Sequence, residues 1–259
     1  MTALMRRVLC LLAAGLIDPN LCGAQTTDDS VHKSLDGYLG AGAMVLPKYV
    51  GSAGSETKLV PLAIIEYKET AYIHLNRAGV RLWSSRDKKL ALGIAAEPRI
   101  GFRPQDGPRL AGMAIRHDAI EGGPALEWEL APFALSAAYF TDWSDTSGGR
   151  SWRLSADRQL VDDGRWDISA YLDLDHADSR IVQYYFGVPP DEATAARPSY
   201  RPGATVISGL GLSGAYLLNK NHALLFGGEL TYLGAAAADS PIVQRRSGVM
   251  GYLGLGLAF

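Results

Sequence analysis

Period-two alternation of apolar and polar residues runs through most of this chain and constrains its fold more than any other feature. Trp166, Ile168, Ala170, Leu172 and Leu174 alternate with Asp167, Ser169, Tyr171, Asp173 and Asp175. Ile120, Gly122, Pro124, Leu126, Trp128 and Leu130 alternate with Glu121, Gly123, Ala125, Glu127 and Glu129. Leu90, Leu92 and Ile94 alternate with Ala91, Gly93 and Ala95 and lead on to Glu97 and Arg99, and Val249–Phe259 repeats the pattern. Successive side chains of a strand point to opposite faces, so this alternation means strands with one apolar and one polar face. Segments of ~10 residues match strands that cross a bilayer at a tilt. A soluble sandwich or lipocalin alternates too, with its apolar face inward.

Connection lengths separate these folds. Long connections are read at 47–58, 103–118, 142–149, 176–203 and 234–246, and short ones at 68–71, 84–88, 131–132, 162–165 and 218–221. A tight hairpin at Asn76–Gly79 puts every long loop on one side, as in a bacterial outer-membrane barrel with short periplasmic turns. The expectation is therefore an all-β, antiparallel transmembrane β-barrel of twelve strands, both ends periplasmic. Treating Tyr72–Trp83 as one strand gives eleven, and ten is the fallback. Closure pairs every backbone donor and acceptor, which hydrocarbon demands, and removes aggregating edges. Tyr38, Tyr67, Trp83, Phe133, Trp152, Trp166, Tyr216 and Tyr232 fall at strand ends and suit interfacial girdles.

The first residues read as an address. Arg6 and Arg7 precede an apolar run, Val8–Ile17, which Asp18-Pro19-Asn20 stops before the small residues Cys22, Gly23 and Ala24. This is the pattern of a secretory signal peptide, too short to span a bilayer as a helix. The reading assigns 1–24 to the signal, with cleavage between Ala24 and Gln25, 25–34 to a periplasmic tail and 35–259 to the barrel. Both cysteines, Cys10 and Cys22, lie in the signal, so the mature chain relies on no disulfide. It keeps 23 basic against 26 acidic residues, a balance that makes nucleic acid a poor partner.

Candidate chemistry is thin. None of His32, His74, His117, His176 and His222 shows paired metal spacing. His176, near Asp173, Asp175 and Asp178, reads as a solvated rim residue. No catalytic signature is recognised, so neither an enzyme nor a cofactor or metal is expected. The face read as inward is more informative. Glu97, Glu121, Glu127, Glu129, Asp157, Asp167, Asp173, Asp175 and Glu229 stand there against Arg81, Arg99 and Arg153. Such a lumen is either solvated and partly ion-paired or a narrow cation-favouring pore. Gly40 and Gly42 share one face of the first strand, where they allow close packing or sharp curvature.

Tyr252, Gly254, Leu257 and the terminal Phe259 resemble the C-terminal assembly signal that barrel-assembly machinery reads in outer-membrane proteins. Five further segments, in order, resemble the MipA/OmpV family, the MltA-interacting protein group. They are Gly40-Ala-Gly42 with Pro47–Ser52, Leu59–Leu62 with Glu66-Tyr67, Ala119–Gly123, Tyr184–Val188 with Ala193 and Tyr200–Ala204, and Ala238–Val243. Pro189-Pro190 and the alanines at 235–238 depart from the pattern. The resemblance covers nearly all of the mature chain. It implies an outer-membrane lipid environment in a Gram-negative bacterium. It also implies a non-enzymatic adaptor holding a lytic transglycosylase and a penicillin-binding protein together. The competing class is a small-solute channel or ligand-binding barrel using the acidic lumen.

Overall fold

The computed structural model describes residues 35–259; the cleavage site at Ala24 and Gln25 and the tail 25–34 lie outside the described residues. The strands are β1 Leu35–Pro47, β2 Ser55–Tyr67, β3 Ala71–His74, β4 Arg77–Ser84, β5 Leu90–Arg99 and β6 Ala119–Leu130. They continue as β7 Phe133–Asp142, β8 Arg150–Asp162, β9 Trp166–Ala177, β10 Thr205–Asn219, β11 His222–Leu233 and β12 Ser247–Ala258. Each pairs antiparallel with the next, and β12 pairs with β1 to close a twelve-stranded barrel. Two short helices, α1 Ser179–Phe186 and α2 Ala235–Ala238, lie in the long loops.

The alternation sorts cleanly onto the two faces of the wall. Leu92, Ile94, Trp128, Leu172, Leu253 and Leu257 are exposed on the outside, and Leu90 and Leu126 share their face through the β5–β6 register. Ile168 follows by parity with Leu172 on β9. Inside, large residues lie over glycines of the neighbouring strand. A Cβ on Gly79 would come within 2.4 Å of the Tyr72 ring, one on Gly211 within 2.3 Å of Tyr171, and one on Gly227 within 2.5 Å of Tyr252. Each glycine makes room for its neighbour's ring, so these three rings pack against the inner wall. At the closing seam Gly40 faces Gly256 and Gly42 faces Gly254. A Cβ on Gly40 would meet the Leu255 carbonyl oxygen at 2.0 Å, so close packing explains this glycine pair.

The tight hairpin falls at Leu75-Asn76, one residue earlier than the alternation suggests, and β3 is only four residues long. β2 pairs with β1 along its whole length but with β3 only over Ile64–Tyr67. Among the described residues, eight of β2, Ser55–Leu62, therefore run on with a bare edge toward the long-loop end. At ~3.3 Å per residue and a tilt of about 40°, that is roughly 20 Å of wall. The Leu75 amide bonds the Ala63 carbonyl at 2.7 Å, so the odd-numbered residues of β2 turn their backbone groups to this side. Pro61 stands among them, where the missing N–H of proline costs no ladder bond.

Candidate functional site

Glu97, Glu121, Arg99, Arg153 and Asp175, on β5, β6, β8 and β9, converge in the external half of the lumen. Glu121 is 1% exposed. Arg99 holds it through Nε at 2.6 Å and Nη2 at 3.0 Å, and the same Nη2 reaches Asp175 at 2.8 Å. Arg153 donates to Glu121 at 2.5 Å and also to Glu97. Arg77 pairs with Glu97 at 3.3 Å. Three guanidiniums thus meet three carboxylates. Phe140, fully buried on β7, lies under two of them, with Arg153 at 4.9 Å and Arg77 at 5.9 Å from its ring centre. The cluster spans β4 to β9, half the circumference. Removing one partner leaves a buried charge uncompensated, which explains why so many contacts tie it together.

A second cluster lies nearer the short-turn end. Arg81 grips Glu66 at 2.7 and 3.2 Å and Glu127 at 2.6 Å, over the ring of Tyr72. His74 meets Glu66 at 2.9 Å. Hydroxyls serve the other carboxylates: Tyr171 and Thr231 donate to Glu229 at 3.2 and 2.9 Å, and Ser155 donates to Asp173. Asp167 accepts from Gln159 at 3.3 Å near the short-turn rim, where Glu129 is exposed. The cavity beside Tyr171, Glu229 and Tyr252 holds about 20 Å³, space for one water. The sequence reading leaves Arg77 and His74 off the inward face. They lie beside the hairpin whose position it set a residue too late.

The long loops roof the other end with a second core. Tyr49 from the first long loop, Phe102, Leu110 and Met113 from the second, Ile181, Tyr185 and Phe186 of α1, and Ile242 and Val243 from the last pack as one cluster. Buried arginines fasten it by capping carbonyls. Arg197 donates to Arg109 and Ala111 at 2.7 and 2.9 Å, and Arg116 holds Glu192 at 2.7 Å. Tyr49 closes onto the Ile242 carbonyl at 2.9 Å, and Ser240 onto that of Phe186 at 2.6 Å. Burial pushes the Glu192 carboxyl up, but hydrogen bonds from Arg116 and the Ala114 amide outweigh it and hold the group below the usual carboxylate range. Stretches from three of the five segments that carry the family resemblance, at 47–52, at 184–188 with 200–204, and at 238–243, supply this roof.

At the closing strand Gly254 packs against Gly42 and the Leu62 side chain, Tyr252 points inward, and Leu257 and Phe259 face out. Phe259 and Gly37 exchange backbone hydrogen bonds at 3.2 and 3.3 Å.

The family described as MltA-interacting protein MipA matches residues 39–259. Outer membrane protein Omp26La of Vibrio anguillarum and outer membrane protein OmpV of Vibrio cholerae serotype O1 are each 33% identical over 85 residues, 33% of this chain and 33% of the relative. The match thus spans about a third of the length of these relatives. Among solved structures, outer membrane phospholipase A from Escherichia coli aligns over 85% of this chain and 92% of its own, at 11% identity and a TM-score of 0.34. The outer membrane channel DcaP of Acinetobacter baumannii aligns over 87% and 96%, at 7% identity and 0.33. Neither likeness is close enough to bear on function. With its closed wall, its outward apolar belt and a match across the barrel, the chain is an outer-membrane protein and belongs to the MltA-interacting protein MipA family.

Proposed function

We propose that this barrel is a non-enzymatic scaffold that holds a lytic transglycosylase, and with it a penicillin-binding protein, at the outer membrane for peptidoglycan remodelling. The matched family's description, an MltA-interacting protein, supports the first partner. The observation that carries the reading is the ion-pair cluster across the lumen together with the loop core that roofs it. Glu121 is locked between Arg99 and Arg153, and the loop core lies above it. A barrel of this kind offers partners its surface rather than a path through its interior. The surface on the peptidoglycan side is the short-turn rim. There Lys68, Arg86, Lys88 and Lys89 cluster on two adjacent turns, with Lys88 paired to Glu69 at 2.5 Å. Residues Tyr252, Gly254, Leu257 and Phe259 serve the barrel-assembly machinery that inserts the chain into outer-membrane lipid.

The test is a pull-down of the detergent-solubilised full chain with a purified lytic transglycosylase and a penicillin-binding protein, run beside planar-bilayer conductance. Retention of the transglycosylase, weakened by R86E/K89E, with silent bilayers supports the scaffold. Stable conductance steps with no enzyme retained favour the second reading, a narrow small-solute or cation channel. One observation speaks for that alternative: among the described residues Glu129, Asp157 and Asp167 line the short-turn half without an arginine partner.

A further inference from the structure

We propose that the outward face of β7, β8 and β9 binds a phosphate-bearing, acylated lipid of the external leaflet. Strand register stacks this face in rows. Leu154 stands between Ala137 and Leu174, and one row toward the external rim Trp152 stands between Tyr139 and His176. Arg150 follows one row further, at the first residue of β8. In the lower rows the alanines Ala137 and Ala156 are set among leucines and Trp128, and the wall is dished into an apolar groove of about 340 Å³. Hydrocarbon is the chemistry that such a groove accepts in the middle of a membrane wall.

The chemistry changes abruptly above the groove. Tyr139 and Trp152 pack with their rings tilted 49° to one another and ring centres 4.7 Å apart, and Trp152 is 56% exposed, as an interfacial aromatic would be. His176 in the same row and Arg150 and Arg180 beyond it are all exposed, Arg180 reaching over from the first turn of α1 to the Gly148 carbonyl at 3.1 Å. Among the described residues none of the three has a carboxylate within ion-pair distance. Two of the acids nearby are engaged elsewhere. Asp178 caps α1 by accepting from the Arg180 and Ile181 amides, and Asp142 accepts from the amides of Ser144, Thr146, Ser147 and Gly148. Asp145 stands exposed in the same loop.

Two guanidiniums and an imidazole without carboxylate partners, an aromatic step, then a hydrocarbon groove form one continuous path down the wall. The complement is an anionic phosphate headgroup with an acyl chain hanging below it. Arginine suits the head because its planar fork matches phosphate oxygens and stays charged at any physiological pH.

The experiment titrates the full chain, folded in detergent, with purified rough lipopolysaccharide and counts bound copies by native mass spectrometry. The wild type is expected to retain the lipid. R150Q/R180Q should weaken retention roughly 30-fold, the effect of two near-surface cations. Ala156→Phe, which fills the groove, should weaken it too, and dephosphorylated lipopolysaccharide should bind the wild type as weakly as intact lipid binds R150Q/R180Q. Heat-modifiability on gels verifies that each variant is folded. Wild-type retention by R150Q/R180Q overturns the proposal. So does an equal loss in R201Q/R245Q, which removes exposed cations from other segments of the loops.

Discussion

Arg153 on β8 reaches across the Phe140 ring of β7 to Glu121 on β6, with 2.5 Å between guanidinium and carboxylate. Two strands apart in the wall and 32 residues apart in sequence, they place a charged contact where an open pore would need water. Replacing Glu121 by Ala strands Arg99 and Arg153 without their shared partner. The expected loss is about 3–5 kcal/mol, the usual effect of breaking a buried pair from one side. Urea titrations read by heat-modifiability measure it, and a loss below ~1 kcal/mol would mean that water already serves these groups.

The two faces of β9 and β6 should respond oppositely to charge. Leu172 is 45% exposed on the outward wall, so Leu172→Arg is expected to cost about 2–4 kcal/mol in a bilayer. Glu129→Arg, at the solvated short-turn rim, should cost well under ~1 kcal/mol, as exposed substitutions do. Unfolding in lipid vesicles compares the two. An equal cost would mean that the wall is turned inside out.

Acid should loosen the roof before the wall. The folded state holds the Glu192 carboxyl below its ordinary value, so this carboxylate adds stability that is fully present above the ordinary value near ~4.3 and is lost as pH falls through the lowered one. Limited proteolysis of the long loops should therefore accelerate below about pH 4. In Arg116→Met the acceleration should already be present at neutral pH, since the cation that holds Glu192 is gone. A pH-independent rate in the native chain would remove the Arg116–Glu192 pair as the cause.

Deleting Phe259 removes an aromatic at the end of the closing strand and the exchange of backbone hydrogen bonds with Gly37. Export across the inner membrane should proceed, while the yield of folded barrel in outer-membrane fractions falls. Fractionation and gel mobility measure both at once. An undiminished yield would strip Phe259 of an assembly role.

The wall was legible because alternation is local: each strand declares its two faces, and Trp166–Asp175 reads the same in any register. Two kinds of feature were not. Ion pairs such as Arg77–Glu97 and Arg153–Glu121 depend on the shear of the barrel, which places residues 20 and 32 apart side by side and leaves no mark in either segment. The roof has no period. Tyr49, Leu110, Ile181 and Ile242 sit in loops where apolar residues recur irregularly, and only their excess in nominal loops hints at a second core. The resemblance picked out these same loop segments without saying what they build. The hairpin was misplaced by a residue because a strand as short as β3 offers too few alternations to phase.

Pro61 gives the bare edge of β2 its final consequence. An uncovered strand is a template on which any extended chain can grow a sheet, and a partner in the crowded outer leaflet would meet it side-on. Proline at a position facing that slot deletes a donor from the middle of the row and spoils the ladder for an incoming strand. Pro61 thus works against strand addition along this edge. Pro61→Val would restore the donor, and the variant should migrate in native gels as higher assemblies while the native chain stays single.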